Sequence, residues 1–417
     1  MRISMVSEHA SPLANPGSVD AGGQNVHVAA LSSALAARGH RVTVFTRRDS
    51  ASLPPRVRVN GGLDVVHVDA GPAEHVAKDE LLPHMGEFAE RLSVEWAEDP
   101  PDVVHGHFWM SGLAALDGVE RSGLGAAAPA VLQTFHALGA VKRRHQGAAD
   151  TSPPEREWLE PYVGRSVDAV VATCPDEVDE LLALRVPRDR IEVAPCGVDL
   201  RAFDATGAAE QRTARFRLVS VGRLVPRKGV DLVVRAMALL RERGVTNIEL
   251  EIVGGSAGAD GDRDPEAARL AALAAELGVA RSIHFRGQIP REEIPALLRS
   301  ADAVVCTPWY EPFGIVPLES MACRTPVIAA ATGGLASTVI DGITGLHVPP
   351  RDPAAIADAV ERLASDRELR EEMGSAGRER VEAGYTWERV ASRTERIYAR
   401  AVARKREAAS LLQRVPS

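Results

Sequence analysis

Short apolar runs with β character recur along this chain, and each leads through a loop into a stretch of helical pattern. Residues 3–6, 41–45, 63–68, 103–105, 131–132, 169–173 and 191–194 form a first series. Residues 218–221, 248–253, 284–288, 304–306, 326–329 and 340–348 form a second. Strands that alternate with helices pair in parallel, because each crossover helix returns the chain to the same edge of the sheet. Helices on both faces bury such strands, which is why they read as continuous apolar runs. The fold class is therefore α/β, with two domains. The polar, irregular stretch that follows residues 195–199 and reaches Arg215 reads as their connection.

Residues 304–334 carry the densest chemistry, reading as strand, loop, helix, strand and a Gly-Gly turn. Pro308 stops the first strand, Gly314 ends the loop, and Pro317 suits the first turn of a helix, where its missing N–H costs nothing. A loop that opens onto a helix start presents unpaired backbone N–H groups, and these favour an anion. Glu311 and Glu319 frame that place. A carboxylate at a helix start is ordinarily a dipole partner, which accounts for Glu319 alone. Glu311, beside Pro312-Phe313-Gly314, needs another reason. A carboxylate accepts two hydrogen bonds, which suits the vicinal hydroxyls of a sugar. Phosphate plus sugar hydroxyls is the local reading.

Other segments point the same way. Ala21-Gly22-Gly23 sits between the first strand and a helix expected over 24–38, a usual phosphate-facing place, although the spacing is not that of a dinucleotide fingerprint. Arg223 and Lys228 flank a Gly- and Pro-bearing loop at a strand end, where two cations converge on one phosphate pair. His107, Thr134 and His136 all stand at strand ends, on the edge where α/β folds bind ligands. Taken singly, each has a blander reading: a tight turn, a solvated loop, a structural histidine. Lys78 and Arg156, taken singly, read as surface residues of amphipathic helices.

Composition excludes several classes. The 417 residues carry a net charge of −8, which argues against a general nucleic-acid binder. Cys174, Cys196, Cys306 and Cys323 show neither CxxC nor metal spacing and read as core residues of a reducing compartment. No apolar run suits a transmembrane helix and no signal-peptide pattern opens the chain, so the expected location is cytoplasmic. Asp260, Asp262 and Asp264 lack the spacing of a calcium loop, and no metal is assigned. On the last helical stretch Arg396, Arg400 and Arg404 form a basic stripe, read as a solvated face rather than a membrane contact.

The two glutamates at spacing eight resemble the E-x7-E signature of family 4 retaining glycosyltransferases. Further likeness runs through GGQNVHV, AGPAEHVAKDEL, HGHFWMSGLAAL and TFHALGAVKRR to members with sugar-phosphate and inositol-phosphate acceptors. The resemblance implies a GT-B fold: two Rossmann-like domains facing a cleft, closing over the reactants. Its expected parts are an acceptor domain over 1–197, a nucleotide-sugar domain over 198–384, and a helix over 385–417 that returns to the first domain. It implies that Glu311 contacts the donor sugar and Glu319 the ribose. Gly314, Ile315 and Val316 offer N–H groups, Arg223 and Lys228 hold the diphosphate, Gly23 meets the donor phosphates, and Gln288 lies near the base. His136 would contact the 6-hydroxyl of the donor hexose. The acceptor would meet Asn25, Lys78, Thr134 and Arg156. Phe108 stands where those members have Tyr, His27 where they often have Tyr, and Gln133 where one branch has His.

The implied function is retaining transfer of a hexose or N-acetylhexosamine from a nucleotide-diphosphate sugar, UDP favoured, to a small hydroxylated acceptor with or without a phosphate. No separate cofactor is expected, and a homodimer is allowed. Rival readings are a nucleotide-sugar epimerase, which would form product without an acceptor, and a noncatalytic nucleotide-sugar-binding protein. A P-loop hydrolase lacks its GxxxxGK[ST] stretch.

Overall fold

The computed structural model describes residues 1–14, 22–255 and 264–413. The chain divides into two compact units, one of residues 1–196 with 387–417, the other of residues 197–386. Asp260 and Asp262 lie outside the described residues, as does Ala21 of the glycine loop. Asp264 caps the helix Pro265–Glu276, its carboxylate accepting from the Glu266 and Ala267 N–H groups.

The first unit is built on an eight-stranded sheet. Its order is Arg56–Asn60, Leu63–Val68, Arg41–Arg47, Arg2–Val6, Val103–His107, Ala130–Thr134, Ala169–Ala172, Ile191–Val193. Every pairing is parallel except that of the first two. That antiparallel edge strand is mostly exposed and alternates Arg with Val, so no apolar run announces it. Phe45, Phe88, Trp96, Val104, Trp109 and Phe135 are among the buried side chains of this unit's core.

The second unit holds a six-stranded sheet in the order Ile283–Gly287, Ile248–Val253, Phe216–Val221, Ala303–Cys306, Val327–Ala330, Gly345–Val348, all parallel. Its core gathers Leu218, Val233, Leu250, Ile252, Val305 and Ile328 between the helices. In each sheet the strand order reverses direction beside the unit's first strand. Ligands in open α/β sheets bind at such switch points, beyond the carboxyl ends of the strands.

Two elements differ from expectation by more than two residues. The strand expected over 340–348 starts at Gly345, because Thr344 Oγ1 takes the Ile340 N–H at 2.8 Å and turns the preceding residues. The helix expected over 353–373 is two, Pro353–Ser365 and Arg367–Gly384. Asp366 between them leaves the helical region at φ −121°, and its carboxylate caps the second at Leu369 N. Aspartate serves this place well because its side chain replaces a missing backbone acceptor.

The last helix, Trp387–Gln413, belongs to the first unit and packs on the helix Gly23–Ala37 and on the strand Ala130–Thr134. Trp387, Val390, Ile397 and Tyr398 are buried there. Each such side chain stabilises by about 1.5–3 kcal/mol. The basic stripe is only partly solvated: Arg400 pairs with Glu192 at 2.9 Å and Arg404 donates to the Asp189 carbonyl. Lys405 pairs with Asp168 at 2.9 Å, while Arg396 stays exposed. These cations are held against the unit's own surface. Among the described residues no helix is long and apolar enough to cross a membrane.

Candidate active site

At the switch point of the second sheet, the strands Phe216–Val221 and Ala303–Cys306 run side by side and release two loops. One carries Arg223 to Gly229, the other Thr307 to Gly314. The loops are joined: Trp309 N donates to the Arg227 carbonyl at 2.8 Å and Thr307 Oγ1 donates to the Gly229 carbonyl at 3.2 Å. Gly229 has φ +67°, and a Cβ there would stand 2.1 Å from the Thr307 carbonyl oxygen, so only glycine allows this approach.

This junction puts Lys228 on Glu311. The ammonium hydrogen-bonds Glu311 Oε2, both groups being largely shielded from solvent. Burial pushes the Glu311 carboxyl up, but Lys228, Arg227 and Arg223 outweigh it, and the net shift is downward. Arg223 is exposed, and its charge reaches Glu311. Three cations and one ionised carboxylate therefore surround the strand ends. Arg227 was not among the residues picked out from sequence.

The loop after Glu311 is clamped from the other side. Gly334 N donates to the Glu311 carbonyl at 2.9 Å. At Gly333, φ is +52° and a Cβ would lie 2.2 Å from that carbonyl oxygen. The Gly-Gly turn thus lies directly on the Glu311–Gly314 backbone. Gly314, with φ +83°, opens the helix Ile315–Ala322, whose first N–H groups come from Ile315 and Val316. Glu319 sits in the second turn of this helix rather than the first, 3% exposed. Its Oε1 accepts from Arg291 at 2.6 Å. Burial raises the Glu319 pKa against the pull of Arg291. Sequence reasoning missed Arg291, which follows the loop after the strand Ile283–Gly287. Gln288 is exposed at the end of that same strand.

In the first unit, histidines crowd the strand ends. His107 Nδ1 and His136 Nε2 lie 3.0 Å apart, their rings stacked at 5.2 Å. His27 meets the His136 ring edge-on at 5.0 Å, and His105 lies 4.2 Å from His107. Burial, first of all, lowers every one of their pKa values: His27 to about 4, His105 to about 3, and His107 and His136 well below the usual range. The cluster is neutral at pH 7. His136 has φ +61° and Phe108 φ +81°. Two neighbouring non-glycine residues in this region store on the order of 1–3 kcal/mol each, and such strain gathers at functional sites.

Two of the expected acceptor residues, Lys78 and Arg156, come together around Phe108. Its ring lies 5.9 Å from the Lys78 ammonium and 5.0 Å from the Arg156 guanidinium. Lys78 stands on a single 3-10 turn, Lys78–Glu80, partly buried. Arg156 is 2% exposed, pairs with Glu160 at 2.9 Å and donates to the Ala137 carbonyl and to Ser152 Oγ. Neither is a solvated helix-face residue. Glu160 Oε2 in turn accepts from Gly139 N, tying the helix Arg156–Ser166 to the helix that follows Thr134. Thr134 is buried. Asn25 is committed to its own loop, its Oδ1 taking Gly22 N and its Nδ2 reaching the Ser11 carbonyl, both at 3.0 Å. Gly23 opens the helix rather than closing the loop.

One cluster here escaped the sequence. Glu8 follows the first strand, fully buried, its carboxylate hydrogen-bonded by Ser111 Oγ and, at 2.8 Å, by His9 Nδ1. The His9 ring meets Phe108 edge-on at 5.0 Å. The only sequence signal was a charged pair placed just beyond a buried strand.

Residues 207–380 match the family model described as glycosyl transferases group 1, and residues 21–202 the one described as Glycosyltransferase Family 4. A D-inositol 3-phosphate glycosyltransferase of Kribbella flavida is 39% identical over 413 residues, covering 95% of this chain and 95% of that protein. The chain belongs to the family 4 glycosyltransferases. The D-inositol 3-phosphate glycosyltransferase of Frankia alni is 38% identical, covering 94% of this glycosyltransferase and 98% of its own length. Among solved structures, sucrose-phosphate synthase from Thermosynechococcus elongatus superposes with a TM-score of 0.86 at 32% identity, over 97% of this chain and 99% of that one. Anabaena HepE, solved with UDP and glucose, shares the fold at a TM-score of 0.70 and 17% identity, over 96% and 99% of the two chains. The glycosyltransferase thus has the GT-B fold, with a parallel-sheet α/β domain in each unit.

Proposed function

We propose that this glycosyltransferase moves a hexosyl or N-acetylhexosaminyl group from a nucleotide-diphosphate sugar, UDP-linked by preference, to a hydroxyl of a small sugar or polyol, with retention of anomeric configuration. The observation that carries the reading is the convergence of Lys228, Arg223 and the Gly314 helix start on one switch point beside Glu311. In the step itself, the bond from the anomeric carbon to the diphosphate oxygen breaks and its electron pair leaves with the diphosphate. The acceptor oxygen bonds the same face of the sugar, and its proton passes to a phosphate oxygen of the leaving group. Arg223, Lys228 and the N–H groups of Ile315 and Val316 stabilise the growing negative charge. Glu311 would hold sugar hydroxyls, Glu319 the ribose, and Gln288 the region of the base. The rules for glycosidase carboxylate pairs do not apply, since water is not the acceptor.

On the acceptor side, His136 would face the donor hexose, with Gly23 near its phosphates. Thr134, Asn25, Lys78 and Arg156 would shape the acceptor pocket around Phe108, with His9 as an added wall. The names of the 39% and 38% relatives support a polyol phosphate acceptor. The location consistent with such a donor is cytoplasmic. The test is calorimetric binding of UDP, GDP and ADP, repeated on Glu319→Ala. One nucleotide binding at micromolar concentration, and lost in the variant, supports the reading. Binding of none of them overturns it.

A further inference from the structure

Arg351 stands where glycine would be the easier residue. It follows the strand Gly345–Val348 and Pro349-Pro350, and its φ is +63°. Asp352, next along, caps the helix Pro353–Ser365, its Oδ1 accepting from Ala354 N and Ala355 N at 3.0 Å. The turn from strand to cap accounts for the left-handed backbone, but not for a long charged side chain upon it. Nor does an ion pair: among the described residues the exposed Arg351 guanidinium has none. What it meets is the face of Trp309, 4.4 Å from the ring centroid. A guanidinium over an indole is drawn to the negative face of the ring, and tryptophan gives the strongest such contact.

Trp309 is where the loop from Thr307 to Gly314 is tied on both sides. Its N–H donates to the carbonyl of Arg227, on the loop of Lys228, at 2.8 Å. Its carbonyl accepts from Thr332 Oγ1 at 3.4 Å, immediately before the Gly333-Gly334 turn that lies on Glu311. Tyr310, between Trp309 and Glu311, is braced in the same manner by Arg227 at 5.4 Å. We infer that Arg351 is a positioning residue: by holding the Trp309 ring it fixes the loop that sets Glu311 against Lys228. It acts through the indole rather than on the donor. This rests on the donor-site reading given above. Arg351 is also a cleaner probe than Arg227, whose charge reaches Glu311 directly.

Arg351→Gly removes the side chain without straining the backbone, since glycine adopts the same φ freely. Amide hydrogen exchange over residues 307–314 is followed by mass spectrometry on the intact protein without nucleotide, and UDP affinity by calorimetry. Loss of one exposed cation–π contact should speed exchange in that loop about two- to fivefold and weaken UDP binding by a similar factor. The melting temperature should stay within about three degrees of wild type. Arg351→Lys keeps a cation over the ring and should restore most of both effects. Adding Arg351→Gly to Trp309→Leu should change neither further, because the two act on one contact. Unaltered exchange and affinity, a lysine variant as impaired as the glycine one, or additive losses in the double variant would each overturn the inference. A lower melting temperature with unchanged UDP affinity would overturn it too, leaving Arg351 a support of the fold alone. If the wild type binds none of UDP, GDP and ADP, it is the donor reading that fails, and exchange in the loop still decides whether Arg351 holds it.

Discussion

Lys228 is the residue on which the leaving-group argument turns. It faces Glu311 and stands on a loop whose approach to Thr307 requires Gly229. Replacing Lys228 by Ala removes a fixed positive charge from a partly buried site, where such donors contribute about 3–4 kcal/mol to the transition state. The expected fall in kcat is roughly 100- to 1,000-fold, with a melting temperature within a few degrees of wild type; equal turnover would remove the role. Arg291→Ala makes the opposite kind of change. It takes away the cation that holds the Glu319 pKa down against burial, so that the carboxyl rises further. UDP affinity should then weaken as pH falls, at a higher pH in the variant than in the wild type, as titration calorimetry across pH would show. At this scale the sequence was informative where partners sit within one motif. Glu311, Gly314 and Glu319 lie on one loop and helix, and Arg223 and Lys228 on one loop. It was silent where the partner is remote: Arg291 reaches Glu319 across 28 residues, Ser111 reaches Glu8 across 103, and Tyr398 reaches His105 across 293.

At the scale of elements, strand ends carry the chemistry, and strands are what the apolar runs announce. The parallel series was legible because buried strands have no polar face to confuse the pattern. Arg56–Asn60 was not, since an exposed edge strand needs no apolar run. The Asp366 break was hidden because helical pattern continues on both sides of it. Two expectations belong here. In Gly333→Ala the new methyl group would meet the Glu311 carbonyl, in a backbone conformation that disfavours a side chain. The loss should be about 1–3 kcal/mol of stability, together with most transfer activity, read by thermal melting and kinetics. The histidine cluster gives the second. Unfolded, these rings protonate near pH 6.5; folded, His27 does so at about 4 and His105 at about 3. Between those values the unfolded chain holds more protons, so stability is lost as pH falls below about 6.5, by up to about 1.4 kcal/mol per pH unit for each ring. Melting temperatures that drop between pH 7 and 5, with proton uptake on unfolding at pH 5.5, would match; a flat profile would show the rings already charged or solvated.

The whole molecule is two units, each with a core of its own, and the first is assembled from two separate stretches of chain. Removing residues 387–417 should therefore cost the first unit its buried Trp387, Ile397 and Tyr398 while leaving the second intact. In calorimetric melts, the transition that UDP stabilises should survive the truncation and the other should broaden or vanish. Loss of both would mean that the second unit cannot stand without the first. The same arrangement matters during synthesis. The first unit is begun first, yet its closing helix leaves the ribosome only after all of residues 197–386. At 5–20 residues per second that is a wait of roughly 10–40 s, in which the faces of Gly23–Ala37 and Ala130–Thr134 that receive the helix stay bare. The later-made unit can finish folding earlier, and the nascent chain is most exposed to chaperones and aggregation at its older end.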